Sequence, residues 1–467
     1  MRILPILMTA TALSACTVGK DYKGPAVALS ARYAAPANIA PAEEQWWRRF
    51  GDSKLDALVE RALAQNLDLA AVAARIDQAR ATARAAEAAL LPTINADASV
   101  DRVHQSFRTP VGGVADRLNL PRDYSLYQIG EQASWELDLF GGLRRNREAT
   151  RADLGGAQAE AAAARLSISA ETVDTYLQLR GLQARYDVAS HQLQNEIKLV
   201  ELVRQQTDQG LVAEHELNRV LGEKESLEAS LAPLRTAMKA QINRLDVLTG
   251  RQAGVDPDGL AATAKIPEAP DPSGNVEPAD LMRRRPDVVA AERRLAAANA
   301  RIGVALAEYY PKISLSGLFG VASIGTGGLF TGEAVQVSGG GALRWRLFDF
   351  GRIDAEVTAA RGHEAEALAQ YRGSILRATE EVENALTKLA ETRTEIATRT
   401  REVAALARSR DQARRAYEGG ILALVAVLDA DRALLEASDR LAKARAEAGR
   451  ASVSATRALG GGWEVRS

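Results

Sequence analysis

Two long stretches without proline constrain the fold of this chain more than any other feature of its sequence. Residues 143–209 and residues 352–418 each contain 67 residues and no proline. Proline is the residue that interrupts helices most strongly, and a continuous helix of this length would extend roughly 100 Å. The aromatic content of 5% also favours long helices with a thin apolar seam over a large globular core. We therefore predict two very long helices.

Apolar residues recur every seven positions in both stretches, which predicts coiled-coil packing. The first series is Leu179, Tyr186, Leu193 and Val200, and the second is Leu389, Ile396 and Val403. Arg410 would be the next member of the second series, so the packing near that end is expected to be looser or polar.

Each long helix is predicted to stop at glycine, and a second helical pattern follows at once. Glycine fits the left-handed conformation that ends helices, so two helical hairpins with tight tips are favoured over one uninterrupted rod. The tip residues are Gly210, Leu211, Val212 and Ala213 in the first hairpin, and Gly419, Gly420, Ile421, Leu422 and Ala423 in the second.

The two halves of the chain resemble each other, and each is predicted to run helix, strand, strand, very long helix, helix. Pro92 and Trp135 of the first half correspond to Pro311 and Trp345 of the second. Apolar and polar residues alternate strictly in four segments, which predicts β-strands. These segments are 94–101, 127–139, 313–321 and 335–347, and the polar stretches 105–123 and 324–334 are predicted to be connections.

Alternation alone does not separate a half-buried soluble sheet from membrane strands. Four strands cannot close a barrel, and lipid tolerates no unpaired sheet edge. If the strands enter a membrane, several chains must therefore share one barrel. The mean hydropathy of −0.17 and the lack of an apolar run near 18 residues exclude a transmembrane helix in the mature chain.

The N-terminus has the pattern of a secretory signal peptide over residues 1–15. Leu13-Ser14-Ala15-Cys16 resembles a bacterial lipobox, which would make Cys16 the acylated first residue of the mature protein. The alternative is a plain signal peptide followed by a free cysteine. Thr17, rather than aspartate, follows Cys16, and for such lipoproteins this resemblance implies sorting to the outer membrane.

No catalytic constellation is present in the sequence. The four histidines are scattered, the single cysteine excludes an intrachain disulfide and Cys-rich metal sites, and no phosphate-binding loop occurs. The net charge of −1 argues against nucleic-acid binding. The chain is therefore predicted to be no enzyme and to need no cofactor or metal. Residues 283–287 are interpreted as the polar entry to a helix with Pro286 near its first turn. The Pro/Asp/Gly-rich segments 254–278 and 21–41 are interpreted as surface segments or as belts around the helical rod.

Ordered motifs along nearly the whole mature chain resemble one family, the outer-membrane efflux proteins of the TolC type. The resemblance is to the lipoprotein, NodT-like branch, whose members are the channels of tripartite drug-efflux pumps. The motifs are Phe50-Gly51-Asp52, Asn66-Leu67-Asp68, Arg284-Arg285-Pro286-Asp287, Val427-Leu428-Asp429-Ala430 and Leu459-Gly460-Gly461-Gly462-Trp463.

This resemblance implies a mainly α-helical homotrimer with a β part. Four strands per chain would form a twelve-stranded outer-membrane barrel, continued by a periplasmic α-helical barrel. The implied organisation is a signal peptide (1–15), a lipidated segment and belt (16–52), a first repeat (53–250, with a β-hairpin at 92–140 and a tip near 210), an equatorial linker (251–278), a second repeat (279–459, with a β-hairpin at 311–351 and a tip near 420) and a tail (460–467).

The resemblance also implies a function, that of a passive exit duct for drugs or other small molecules. A periplasmic adaptor and an inner-membrane RND pump would be its partners, together with outer-membrane lipids, and the hairpin tips would contact those partner proteins. The sequence alone leaves two alternatives open, namely a channel for protein secretion and a coiled-coil periplasmic scaffold that forms no channel.

The family's closure motif corresponds here to Val425, Asp429 and Arg432, with Tyr417 just before the tip. The spacings of four and three residues put the three on one helical face, where they would close a narrow pore. The alternative is solvated surface charge with an Asp–Arg pair worth about 0.2–0.5 kcal/mol. The first hairpin has Leu217-Asn218-Arg219 at the corresponding place, so an acidic ring from both hairpins is not predicted.

Overall fold

A computed structural model describes residues 17–26, 30, 33–34, 44–256, 258–270 and 284–461. The signal peptide and Cys16 lie outside the described residues. The helices are α1 (Ser53–Gln65), α2 (Leu67–Ala88), α3 (Pro110–Arg117), α4 (Gly142–Asp208), α5 (Glu214–Leu248), α6 (Pro286–Ala307), α7 (Arg352–Glu418) and α8 (Leu424–Ala458). The strands are β1 (Thr93–His104), β2 (Asp123–Leu137), β3 (Lys312–Ser323) and β4 (Val335–Arg344).

The two long helices, α4 and α7, have 67 residues each and are continuous, as predicted from the absence of proline. A second helix, α5 or α8, follows each of them directly. Helix α6 begins at Pro286, in agreement with its interpretation as a first-turn residue. In the part of the chain that the structure describes, no helix is both long and apolar enough to cross a bilayer.

The four strands form one antiparallel sheet in the order β1-β2-β3-β4. Its register aligns apolar residues across neighbouring strands, including Trp135 with Leu315 and Phe319 with Val337. Many of these side chains are exposed in the single chain, Phe319 by 62% and Val337 by 71%. Among the described residues, no strand pairs with the outer edges of β1 and β4. The sheet therefore has an apolar face and two free edges to be covered.

One predicted strand end was wrong, and one predicted connection has a structure of its own. The segment 105–123, predicted as a connection, joins β1 to β2 and contains helix α3. The Thr109 hydroxyl accepts a hydrogen bond from the Gly112 amide at 3.1 Å, and Pro110 occupies the first turn, so capping starts a short helix in a polar segment. Strand β4 ends at Arg344 rather than at Leu347.

Chain contacts divide the protein into two compact units. The first unit comprises residues 1–25, 77–156 and 292–370, and the second comprises residues 26–76, 157–291 and 371–467. The first unit contains the sheet. Within it, the indole N–H groups of Trp135 and Trp345 donate to the carbonyl oxygens of Leu90 and Tyr309, each at 2.9 Å. The two halves of the chain thus use the same tryptophan contact.

Arg145 fixes the N-terminal segment in the first unit. Its guanidinium is buried and donates hydrogen bonds to the carbonyl oxygens of Val18 and Gly19, both at 3.0 Å. It also pairs with Asp21 at 2.9 Å and with Glu148 at 2.7 Å. The chain directly after Cys16 is therefore held against the start of helix α4.

We expect the Arg145→Ala variant to release residues 17–21. The variant loses two hydrogen bonds to carbonyl groups and two ion pairs, and a hydrogen bond to a charged group contributes about 1.5–3 kcal/mol. Hydrogen exchange measured by mass spectrometry should be at least about tenfold faster over this segment. The Arg147→Ala variant removes the same charge from the same helix and should leave the rate unchanged. Equal protection of the segment in the wild type and in Arg145→Ala would contradict this role.

The core of the second unit includes one residue, Leu260, of the segment that was predicted to be a surface segment or belt; the other described residues of that segment are exposed or half-buried. Leu260 is 2% exposed and packs in a cluster with Trp46, Trp47 and Phe50. Its carbonyl accepts a hydrogen bond from the Gln183 amide at 2.7 Å. The polar composition of residues 254–278 was therefore misleading at this position, because buried side chains of α4 satisfy the backbone of the segment.

Candidate functional site at the helical tips

The two hairpin tips, 209–213 and 419–423, have the same backbone conformation. Gly210 and Gly420 adopt left-handed φ values of +72° and +73°. In the first tip, the backbone amides of Gly210 and Leu211 donate hydrogen bonds to the carbonyl oxygens of Thr207 and Gln206, both at 2.9 Å. In the second tip, the amides of Gly420 and Ile421 donate to the carbonyl oxygens of Tyr417 and Ala416, at 2.9 and 2.8 Å. This pairing is the Schellman motif, and it confirms the predicted glycine stops.

The tips expose large apolar side chains. Leu211 is 71% exposed, Ile421 is 80% exposed and Leu422 is 42% exposed. A rigid turn that leaves apolar groups in solvent is typical of a contact surface for another protein.

Directly behind the tips, apolar residues of helices α4, α5 and α8 form one buried cluster. Its buried members are Leu199, Val200, Val203, Val220, Leu424 and Leu428. Tyr417 and Val212 pack against this cluster. The two hairpins of the chain therefore share a core at this end of the second unit.

Tyr417, one of the residues of the predicted closure motif, links the two long helices. Its hydroxyl donates a hydrogen bond to Oε1 of Gln206 at 2.8 Å. Burial, with a smaller contribution from the negative charge of Glu216, raises the pKa of the tyrosine hydroxyl. The tyrosine therefore stays protonated at neutral pH and keeps this hydrogen bond.

The other three residues of the motif lie along helix α8. Val425 is half-buried, while Asp429 and Arg432 are exposed. Arg432 forms an ion pair with Glu223 of helix α5. Asp429 has no hydrogen bond or ion pair with any residue that the structure describes. The intrahelical Asp–Arg pair of the alternative interpretation is therefore not formed, and Asp429 is free to contact a group outside the chain.

Sequence reasoning missed three acidic residues near the motif, namely Glu196, Glu223 and Asp431. Glu196 and Asp431 are buried, with exposures of 4% and 6%. A signal for Glu196 was present, because it lies three residues after Leu193 and four before Val200, at an inward position of the predicted seam. The packing near Arg410 was predicted to be looser or polar, and it is polar: the Arg410 guanidinium lies 3.6 Å from Asp431.

Comparison with known proteins identifies the family. The model of the family described as "Outer membrane efflux protein" matches residues 58–251 and 278–461. The chain belongs to the outer membrane efflux protein family. The resemblance inferred from the sequence motifs is thereby confirmed.

Similar proteins match along nearly their whole length. The chain is 31% identical over 467 residues to the pyoverdine export outer membrane protein OpmQ of Pseudomonas putida, with 100% of this chain and 98% of that protein covered. It is 29% identical to nodulation protein T of Rhizobium leguminosarum bv. trifolii, with 97% and 95% covered. The solved structure of the outer-membrane channel OprN has a TM-score of 0.87 at 32% identity and covers 96% of this chain and 100% of that one.

Family membership establishes the predicted fold, location and partners. This outer membrane efflux protein has the TolC-like fold, works as a trimer and is the outer-membrane channel component of a tripartite export pump. It extends into the periplasm and works with an adaptor and an inner-membrane transporter. The free edges of β1 and β4 agree with a barrel to which each of three chains contributes one four-stranded sheet.

Proposed function

We propose that this protein is a passive exit duct for small molecules and that it catalyses no reaction. The observation that carries the proposal is the four-stranded sheet, whose apolar face is exposed and whose two edges are unpaired in a single chain. Such a sheet becomes stable in lipid only when copies close it. A relative that covers the whole chain is named for pyoverdine export, which favours a small solute over a secreted protein.

We propose that the duct closes at the helical tips through Val425, Asp429, Arg432 and Tyr417. Two intrachain contacts support this: Arg432 joins α8 to α5 through Glu223, and Tyr417 joins α7 to α4 through Gln206. The unpartnered carboxylate of Asp429 is available to a neighbouring copy. The exposed side chains of Leu211, Ile421 and Leu422 would contact the adaptor.

Planar bilayer recording and export assays test this function together. The purified trimer should form pores, and a strain that lacks the protein should accumulate small efflux substrates until the wild-type gene is restored. Pores without any rescue of small-molecule export would contradict the proposed cargo. A trimer that forms no pore would contradict the duct itself.

We further propose that Cys16 carries the lipid anchor, and we expect Cys16→Ser to abolish acylation. Serine lacks the thiol that the lipid donor alkylates, so intact-protein mass spectrometry should find no acyl chains. Thr17→Ser is the matched control, because it removes only one methyl group from the residue after Cys16 and keeps the hydroxyl. This variant should still carry the mass of the acyl chains. An acylated Cys16→Ser protein would exclude this cysteine as the site.

A further inference from the structure

A chamber of about 280 Å³ that is partly open to solvent lies between helices α4, α5 and α8, behind the apolar cluster of the tips. Acidic and neutral polar side chains line much of it, together with Arg432. Its polar lining includes Gln192, Glu196, Glu223, Ser226, Asp431 and Glu436. A polar chamber of this size holds several water molecules, so protons can reach the groups that line it.

Glu196 is the least compensated charge of the chamber. Its side chain is 4% exposed, and its Oε1 atom has no hydrogen-bond partner. No ion pair joins it to any residue in the described part of the chain. A buried carboxylate without partners is costly, and the usual solution is to bind a proton.

Charged groups from the three other helices of the bundle face Glu196. Helix α5 contributes Glu223 and helix α8 contributes Asp431, both negative, while Arg414 of α7 is the positive group that acts on it. Glu223 is paired with Arg432, and Asp431 lies 3.6 Å from Arg410, also of α7. The nearby arginines are thus engaged with other carboxylates, and Glu196 remains in a negative surrounding.

These surroundings shift the titration of Glu196. Burial, followed by the charges of Asp431 and Glu223, raises the pKa of its carboxyl group from 4.5 to about 7, against the opposing charge of Arg414. No group of three or more His, Cys, Asp or Glu side chains among the described residues is arranged to hold a metal ion. The raised pKa means that Glu196 exchanges a proton near neutral pH.

We propose that Glu196 and Asp431 form a proton-operated latch, which fastens the four helices behind the tips when Glu196 is protonated and loosens them when it is ionised. The proposal assigns the pH response to two buried carboxyl groups that line the chamber, and not to the closure motif on the helix surface. The effect of the latch on helix packing does not depend on the proposed function. Only its effect on flow through the channel rests on that proposal.

The direction of the pH effect follows from proton linkage. A carboxyl group whose pKa is higher in the packed state binds more protons there than in the loosened state. The stability of the packed state therefore falls as pH rises, over the window between 4.5 and about 7. Mildly acidic conditions should fasten the helices, and pH 8 should loosen them.

Hydrogen exchange on the full trimer in detergent measures this latch directly. After correction for the intrinsic exchange rate, opening of residues 190–206 and 424–436 should be about tenfold more frequent at pH 8 than at pH 5.5. Glu196→Gln, a neutral group of the same shape, should remove most of this difference. Asp431→Asn should move the midpoint to lower pH, because one repelling charge is gone.

Glu201→Gln is the matched control, since Glu201 lies on the same helix with an exposed side chain. It should keep the wild-type pH dependence. Opening that is equally frequent at both pH values in the wild type, or a dependence that survives Glu196→Gln, would overturn the latch. Bilayer conductance recorded on the same samples separates the two proposals. A pH-dependent exchange with constant conductance supports the latch and shows that loosening these helices does not open the channel.

Discussion

Replacing Asp429 and Arg432 together by alanine is expected to raise the leak conductance of the purified trimer several-fold in planar bilayers. The double variant removes the ion pair between Arg432 and Glu223 that joins helices α8 and α5. It also removes the one carboxylate of the motif that is free to contact a neighbouring chain. An exposed ion pair is worth about 0.2–1 kcal/mol, and three symmetric copies together would shift the closed–open equilibrium by roughly tenfold.

The chain offers a well-matched control for this experiment. Asp77 and Arg80 of helix α2 have the same two residue types at the same spacing of three, with an exposed ion pair at 2.6 Å. Alanine at both positions should leave the conductance unchanged. A charge reversal, Arg432→Glu with Glu223→Arg, should restore part of the closure lost in Arg432→Glu alone. Unchanged conductance in the Asp429/Arg432 variant would show that the tips are closed by other residues.

Local signals made the helices predictable from the sequence. The long helices were predicted over 143–209 and 352–418, and α4 and α7 end within one residue of those limits. Proline disfavours the interior of a helix, although α5 contains Pro233, and glycine permits the left-handed end. Both effects act on the backbone of a single residue. The tips were therefore located without any knowledge of packing.

Two of the family motifs act through the same local chemistry. The Asp52 carboxylate caps helix α1 by accepting hydrogen bonds from the amides of Lys54 and Leu55. Asn66 does the same for α2, and its side-chain amide also donates to the carbonyl of Leu248 at 3.0 Å. These residues made the family recognisable because they start helices, and they do not line the candidate gate.

The polar interior behind the tips was not predictable in the same way. The seven-residue series predicted inward positions, but the partners of a buried charge lie on other helices. Glu196, Glu223 and Asp431 are separated by 27 residues or more along the chain, and only the packing of the hairpins brings them to one chamber. Long-range pairing of this kind depends on tertiary structure, which periodicity does not encode.

Substitution of Gly320 by valine is expected to prevent the sheet from forming its native register, and with it the assembly of the trimer. Gly320 of β3 lies opposite Gly130 of β2. A Cβ atom at Gly320 would lie 2.5 Å from the carbonyl oxygen of Ile129 and 2.7 Å from the Cα of Gly130. Both atoms are backbone, so the strands would have to separate. Overpacking of this kind costs about 1–3 kcal/mol or more, in each of three copies.

The yield of trimer that survives unheated electrophoresis measures this effect, and we expect it to fall at least about tenfold in Gly320→Val. Gly317→Val is the matched control on the same strand. A Cβ atom there would have the carbonyl oxygen of Ser338, at 3.9 Å, as its nearest neighbour, which is an ordinary contact. Valine is favoured in strands over glycine, so this control should assemble as well as the wild type. Equal trimer yields from the two variants would mean that β2 and β3 do not approach each other so closely in the assembled channel.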